Sequence, residues 1–580
     1  MSCTIKSAET GNYNDYQSTN YDSTNEVQDN EDTNSTSTSQ QIHLKTTSDL
    51  SKLETNPDGQ FVLDNDINLS AKEWVPLCQE TPFTGIIDGN GHSINNFKIS
   101  AYHKTCGFFA TTGNAEFKNV IFENVDIDFE TTVVNEISSA AIIVGEGTAT
   151  FDSVTVKHST LNATKRGPGE QIIGGFLGIG SGEIYNSISS ISMENTDKIF
   201  EAVGGFIGET AETEFGDMPQ TIINDSKNYS SIEGTIRTFE YSDSSGFGGL
   251  IGLTSYGVTI SISRSYNYGN IIVACDADGY LEYSGIGGLI GARPSTTDVI
   301  SYCGNLGDLS ESTTDTEFNL LIGGLVGYGE MNIDHSFNTG NILSGYVCGG
   351  IFGYSNSIVK NCFNTGSISG QTSGGITGQV GYLAEIYNSF NSGTLTYSGG
   401  GIVGSQNVYG DDHFTIEDCY NTGELHGVFS WILGGQIYKS PTITIKRVFN
   451  AGAFIKGPEG NEDELDNGEE PDETSSGILG NYDYFTLSNA LSLNNAKSTD
   501  HEVNAFAESF IDFDYSNLYF EEGLLDASGK GEKIEDLSKL TKQWFENNMD
   551  YDTSIWDIDN IDLVNGSFPK LKDMPEIPSN

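Results

Sequence analysis

From residue 174 onward a five-residue pattern, Gly-Gly-aliphatic-x-Gly, returns again and again. It stands at Gly174–Gly178, Gly204–Gly208, Gly248–Gly252, Gly287–Gly291, Gly323–Gly327, Gly349–Gly353, Gly374–Gly378 and Gly400–Gly404. A worn copy, Gly434-Gly435-Gln436-Ile437, ends the series. From residue 248 each block is followed by a second element, aromatic-Asn-x-Gly in most copies. It reads Tyr266-Asn267-Tyr268-Gly269, Phe337-Asn338-Thr339-Gly340, Phe363-Asn364-Thr365-Gly366, Phe390-Asn391-Ser392-Gly393, Tyr420-Asn421-Thr422-Gly423 and Phe449-Asn450-Ala451-Gly452. Gly304-Asn305-Leu306-Gly307 lacks the aromatic. Internal repetition at a fixed period means an array of like units, each unable to bury its apolar face alone.

Between residues 323 and 400 the period is 25 to 26 residues, and elsewhere insertions stretch it to as many as 44. A period near 25 suits one coil of an all-β, right-handed parallel β-helix: three strands of about five residues joined by three turns. Coils stacked at about 4.8 Å pair every backbone group along the axis and join short apolar strands into one core. The glycines serve tight corners and close approach of neighbouring coils, and the Asn side chains are expected to form hydrogen-bonded ladders at the bends. Helical repeats fail, because a Gly-Gly pair in every unit would cost about 2 kcal/mol per copy in a helix.

A chain of 580 residues exceeds what one spherical core supports, which agrees with an array. Only 12 prolines accompany 69 glycines, so the glycine belongs neither to collagen nor to Pro-rich disorder. Against 81 Asp and Glu stand 27 Lys and Arg, a formal charge of −54. That field repels nucleic acid, anionic headgroups and polyanionic glycans, and nucleic-acid partners are excluded because they need Lys and Arg on phosphates. Divalent cations and basic partners stay open, beside the plainer reading of a solvated acidic surface.

The chain divides into a disordered polar tether over 1–42, a β-helix over 43–457, an acidic loop or linker over 458–475 and a C-terminal capping segment over 476–580. A short helix is expected at Ser48–Leu53, with Ser48 as its N-cap, closing the first coil. A second, amphipathic helix is expected through Ile534, Leu537, Leu540 and Trp544, capping the last coil with Trp556 and Phe568. No run approaches the ~20 apolar residues of a transmembrane span, and no signal peptide is visible. Cys3 ahead of a polar tail suggests the acylated cysteine of a processed lipoprotein.

With these motifs the chain resembles the bacterial surface proteins that carry GLUG-type repeats, including the non-catalytic β-helical region of the IgA-specific zinc metallopeptidases. The resemblance covers roughly residues 45 to 457. Its opening coils lie in Phe61–Leu69, Trp74-Val75-Pro76, Pro82–Gly85 and Asp88–Ile94, followed by Phe108-Phe109-Ala110 and Ile121–Val125. A weaker match near the end runs from Trp556 to Asn565-Gly566-Ser567-Phe568-Pro569-Lys570-Leu571. The resemblance implies a β-helix displayed extracellularly or at a cell surface. The proteases among these proteins carry H-E-x-x-H in a separate domain. The nearest approach here is His501-Glu502-Val503-Asn504-Ala505, which lacks the second His and so cannot hold zinc.

The remaining candidates for chemistry are few. Cys303, Cys362 and Cys419 each precede the Asn of an Asn-x-Gly element by two residues, a place held elsewhere by Ser336 and Ser389. Two coils of separation puts Cys303 and Cys362 about 9.6 Å apart, beyond disulfide reach, so buried stacked thiols are expected. Calcium would look to Asp88-Gly89-Asn90-Gly91 or Asp276-Ala277-Asp278-Gly279, which read more simply as tight turns. A polysaccharide lyase needs basic residues against a uronate, and Lys165-Arg166 is the one basic pair near the repeats. A glycosidase needs two carboxylates roughly 5 to 9.5 Å apart, which a sequence with 81 acidic residues cannot single out. No catalytic or cofactor residue is assigned. The expectation is a non-enzymatic stalk or adhesin-like protein whose protein or glycan partners lie along loops between coils, around 209–221 and 275–285. The alternative is a carbohydrate-active enzyme.

Overall fold

A computed structural model describes residues 41–101, 104–131, 137–165, 170–194, 201–212, 220–236, 244–255, 257–275, 284–312, 320–381, 383–406, 413–426, 430–436, 442–455, 475–476, 478–493, 503–506, 510–525 and 529–579. The tether, most of the acidic segment, Asp276–Gly279, Arg166, His501 and Glu502 lie outside the described residues, as do 213–219 and 276–283 of the two spacers.

The architecture is the parallel β-helix that the repeats require. One register, interior as far as Leu487, runs through sixteen layers, from Ile42 through Phe61, Ile87, Phe117, Phe151, Ile184 and onward to Ile445, Leu487 and the exposed Tyr515, always by parallel pairing. At the usual coil spacing this column is about 70 Å long. Phenylalanines fill the early coils, where Phe83 stacks on Phe109 at 4.7 Å and Phe117 on Phe151 at 5.2 Å. Later coils use Ile, Leu and Val, all buried.

A single coil contains five short strands rather than the three expected. One example runs Gly285–Gly287, Ile290–Ala292, Val299–Ser301, Gly304–Asn305 and Leu309–Glu311. Its Gly-Gly motif is explained by volume. A Cβ on Gly287 would stand 1.8 Å from the Ile290 carbonyl, and one on Gly288 would meet the Gly324 carbonyl at 2.1 Å and the Asn305 side chain at 2.4 Å. The first glycine folds the arch and the second leaves room for the Asn behind it. The sharp left-handed corners belong to other residues. Asn186, Asp225, Asn361, Asn388 and Asp418 hold φ between +48° and +55° at the same place in their coils. Asn and Asp tolerate that region best among residues with a side chain.

Two polar ladders run inside the column. Each Asn of the Asn-x-Gly element donates from Nδ2 to the Oδ1 of the next coil's Asn: Asn267 to Asn305, Asn305 to Asn338, Asn338 to Asn364, Asn364 to Asn391 and Asn391 to Asn421, all at 2.8 Å. The same nitrogen donates to the carbonyl of its own glycine, as Asn364 does to Gly366 at 2.8 Å. Two residues earlier a Ser or Cys accepts a backbone N–H from the preceding coil. Ser226 N donates to Ser265 Oγ at 3.1 Å, Cys303 N to Ser336 Oγ at 3.1 Å and Cys362 N to Ser389 Oγ at 3.1 Å. Buried polar groups are tolerable only when so paired.

The ends differ from the expected boundaries. At the start Thr46, not Ser48, is the N-cap, with its backbone N–H donating to Asp49 Oδ2 at 2.9 Å, and Leu50 and Leu53 are buried on the first coil. At the far end the column does not stop at 457. Leu479–Ser492 pairs in parallel with Thr442–Asn450, Phe510–Glu521 pairs with Leu479–Ser492, and Glu532–Ile534 adds a short last strand. These coils keep the apolar alternation, as in Phe485, Leu487 and Ala490, without the glycine motif that marks the others. The expected amphipathic helix is broken: Ile534 ends a strand, Leu537–Lys539 is one 3-10 turn, and only Lys542–Asn548 is α-helical.

Candidate functional site

The pleat decides what the flank displays. Because the Asn of each Asn-x-Gly element points inward, the residues on either side of it point outward, as does the corner residue three places before the Asn. Three outward rows follow. The corner row reads Asp225, Arg264, Tyr302, His335, Asn361, Asn388, Asp418, Arg447. The middle row is Lys227, Tyr266, Gly304, Phe337, Phe363, Phe390, Tyr420, Phe449. Tyr229, Tyr268, Leu306 and Thr339 begin the third.

From Phe337 to Phe449 the middle row is a ladder of parallel rings. Phe337–Phe363 and Phe363–Phe390 stand 5.3 and 5.2 Å apart, Phe390–Tyr420 4.9 Å and Tyr420–Phe449 4.7 Å. Such an outward apolar ladder needs a cover, and the C-terminal segment supplies it. Leu540, Phe545, Met549, Tyr551, Trp556 and Leu571 form one buried cluster with Tyr420, Phe449, Leu491 and Tyr519. The segment therefore lies along the flank, where the sequence had suggested an end cap.

A buried polar knot fastens it. Arg447 reaches back one coil to Asp418, with Nε to Oδ1 at 2.7 Å and Nη2 to Oδ2 at 2.7 Å, and also holds Glu417. Trp556 Nε1 donates to the same Asp418 Oδ1 at 2.7 Å, and the Tyr551 ring stacks on the indole at 4.2 Å. The Asp418 pairing pulls the Arg447 guanidinium further above its ordinary range. Further along, His335 lies between Asp334, 2.9 Å from Nδ1, and Asp573, 3.1 Å from Nε2.

Next to the covered stretch the same rows are open. Tyr229 is 45% and Tyr302 50% exposed, and Tyr229 stacks on Tyr268 at 4.7 Å. Tyr302 stacks on the His335 ring at 4.7 Å. Gly304 explains the missing aromatic of its repeat, since a Cβ there would stand 2.3 Å from the Phe337 ring, which leans across it towards Tyr266. Arg264 repeats the Arg447 arrangement one element for another. Its Nε donates to Asp225 Oδ1 at 2.8 Å, and Nη2 donates to Asp225 Oδ2 at 2.9 Å and Asn224 Oδ1 at 2.7 Å. Arg264 and Tyr302 hold φ of +44° and +55°, a conformation that costs a residue of their kind roughly 1 kcal/mol.

The residues singled out from sequence fall elsewhere. Cys303, Cys362 and Cys419 are buried thiols, each donating to the carbonyl two residues back at 3.1 to 3.2 Å, and Cys78, Cys106, Cys275 and Cys348 are also buried. Burial pushes the Cys303 thiol up to about 12. Asp88–Gly91 is a turn in which Asn90 N donates to Asp88 Oδ1 at 2.8 Å, with Asn90 and Gly91 left-handed. Among the described residues no three His, Cys, Asp or Glu side chains gather as metal ligands, and no helix is long and apolar enough to cross a membrane. Asp298 and Glu311 are buried carboxyls, and desolvation raises both, Glu311 to about 7. Glu311 points into the column beside Val273 in register. The tyrosine face was missed, although Tyr266-Asn267-Tyr268 carries its signal: aromatics on both sides of an inward Asn must both face out.

No family model matches the chain, and no curated protein matches it. Among solved structures, a Bacteroides ovatus protein described as a "putative immunoglobulin A1 protease" aligns with 51% of this chain and 76% of its own, at 16% identity and a TM-score of 0.27. A likeness at that level carries no weight for fold or function.

Proposed function

We propose that this chain is a non-enzymatic β-helical stalk or adhesin-like protein, displayed at a cell surface or secreted, which holds protein or glycan partners on its flank and on loops between coils. In this reading it is akin to the bacterial surface proteins with GLUG-type repeats. The observation that supports it best is where the repeat signature goes. The glycines, the Asn ladder and the Ser/Cys ladder are all spent inside the column, fastening one coil to the next. A scaffold so built leaves its outer rows free to vary, and function on a shared fold resides in such grafted sites.

The rival is a glycosidase or polysaccharide lyase on the same fold, which would need a pair of carboxylates on an open face; Glu311, the raised carboxyl, is buried inside the column. Incubation with neutral and acidic polysaccharides, followed by assays for reducing ends and unsaturated sugars, separates the two. The stalk reading predicts no product above the buffer control. Product that persists across independent preparations would establish the enzyme instead.

A further inference from the structure

We propose that the open stretch of the flank, formed by Arg264, Tyr229, Tyr266, Tyr268 and Tyr302, is a binding site for a neutral glycan; the proposal rests on reading the chain as a binding protein and names its partner class. The argument begins with a comparison inside the molecule. Arg447 and Asp418 form a corner-to-corner pair beside an aromatic row, and a flat ring, the Trp556 indole, lies against them and hydrogen-bonds to Asp418. Arg264 and Asp225 form the same pair beside Tyr266. The first pair is covered, its side chains 12% and 4% exposed. The second is open, at 53% and 42%.

Strain supports the same assignment. Corners of this row are filled by Asn or Asp through most of the column, yet Arg264 and Tyr302 occupy two in succession with side chains that favour other conformations. The departures at Arg447 and His335 are accounted for by the C-terminal segment they hold. Arg264 and Tyr302 are held only from one side, by Asp225 and by the His335 ring, and their side chains remain about half exposed.

Chemistry selects the occupant. Where the flank binds the chain's own segment its middle row is mostly phenylalanine. In the open stretch tyrosines stand on all three rows, Tyr302 at the corner, Tyr266 in the middle and Tyr229 and Tyr268 on the third, with Tyr229 and Tyr302 about half exposed and an arginine already oriented by Asp225. Rings with hydroxyl edges beside a fixed acceptor and donor pair suit a pyranose, whose C–H face stacks while its hydroxyls both give and accept hydrogen bonds. A formal charge of −54 argues for an uncharged sugar over a polyanionic one.

The test uses the full chain and saturation-transfer NMR with titration of cellohexaose, laminarihexaose, mannohexaose and chitohexaose. Polygalacturonate and a peptide of residues 550–574 serve as comparators. The variants are Tyr268→Ala and Arg264→Asn, the latter restoring the residue type of the Asn361 and Asn388 corners. Transfer to the ring protons of at least one neutral hexasaccharide is expected, with binding at least tenfold weaker in both variants and a Tm for Arg264→Asn no lower than the parent's. Four results would overturn the proposal: no neutral sugar bound at millimolar concentration, binding unchanged in the variants, tighter binding of polygalacturonate, or displacement of the site's function onto the peptide alone. Each leaves the non-catalytic reading standing, because that reading depends on the product assay.

Discussion

At the scale of single residues, the column's stability rests on atoms that have no second choice of partner. Asn364 accepts from Asn338, donates to Asn391 and donates to Gly366, all at 2.8 Å and out of water. Asn364→Ala takes one partner each from the Asn338 amide, the Asn391 side-chain oxygen and the Gly366 carbonyl in the interior, and stranded buried groups cost about 1–3 kcal/mol each. The variant should lose about 3 kcal/mol or more in urea unfolding with the slope unchanged, whereas Thr365→Ala, on the outer row, should lose less than about 0.5 kcal/mol. Equal losses would mean that the ladder contributes little. Glu311 gives a residue-scale prediction in pH. Its folded pKa of about 7 lies above the ordinary 4.5, so its contribution is whole below about pH 4.5, falls as pH rises and is gone above about 7. Denaturation of Glu311→Gln and the parent from pH 4 to 8 should diverge over that interval, with the variant gaining about 3 kcal/mol on the parent by pH 8. Parallel curves would contradict it. The Asn ladder was legible because Asn-x-Gly repeats in register. The left-handed corners were not, since their identity varies from Asn186 to Arg264 to Tyr302 and only the backbone is shared.

At the scale of elements, an outward ladder and its cover explain each other. Phe337, Phe363, Phe390, Tyr420 and Phe449 would form a long exposed apolar stripe, and Leu540, Phe545, Trp556 and their neighbours close over part of it. The sequence showed both halves, yet it could not join them, because a helical pattern at Ile534–Trp544 says nothing about which distant face it meets. Spacing also hid the last coils, whose apolar alternation at Phe485–Ala490 lacks the glycines that advertise the rest. Asp418 is the point where cover and column are tied. Removing one partner of a buried pair costs about 3–5 kcal/mol, since Arg447 and the Trp556 indole both lose their acceptor. In Asp418→Ala, limited chymotrypsin digestion should cut within 537–572 at protease levels that leave the parent intact, while the β-sheet circular dichroism is kept. A C-terminal segment as resistant as the parent's would show that the knot does not hold it.

At the scale of the molecule, sixteen parallel layers stack on one apolar interior and two polar ladders run through the middle coils, so coils depend on their neighbours and the column behaves as a chain of nearest-neighbour contacts. Its period and its coil-by-coil stacking were written in the repeats; its flank was written only in the parity of each strand, which a repeat count does not reveal. Hydrogen exchange followed by mass spectrometry tests this account most directly. Peptides spanning Phe337–Gly340, Phe363–Gly366, Phe390–Gly393 and Tyr420–Gly423 should be protected as strongly as the Gly-Gly strands of the same coils, and Asn364→Ala should loosen the coils on both sides of it together. Exchange of the Asn-x-Gly peptides within seconds, beside protected Gly-Gly strands, would contradict a column held by its internal ladders.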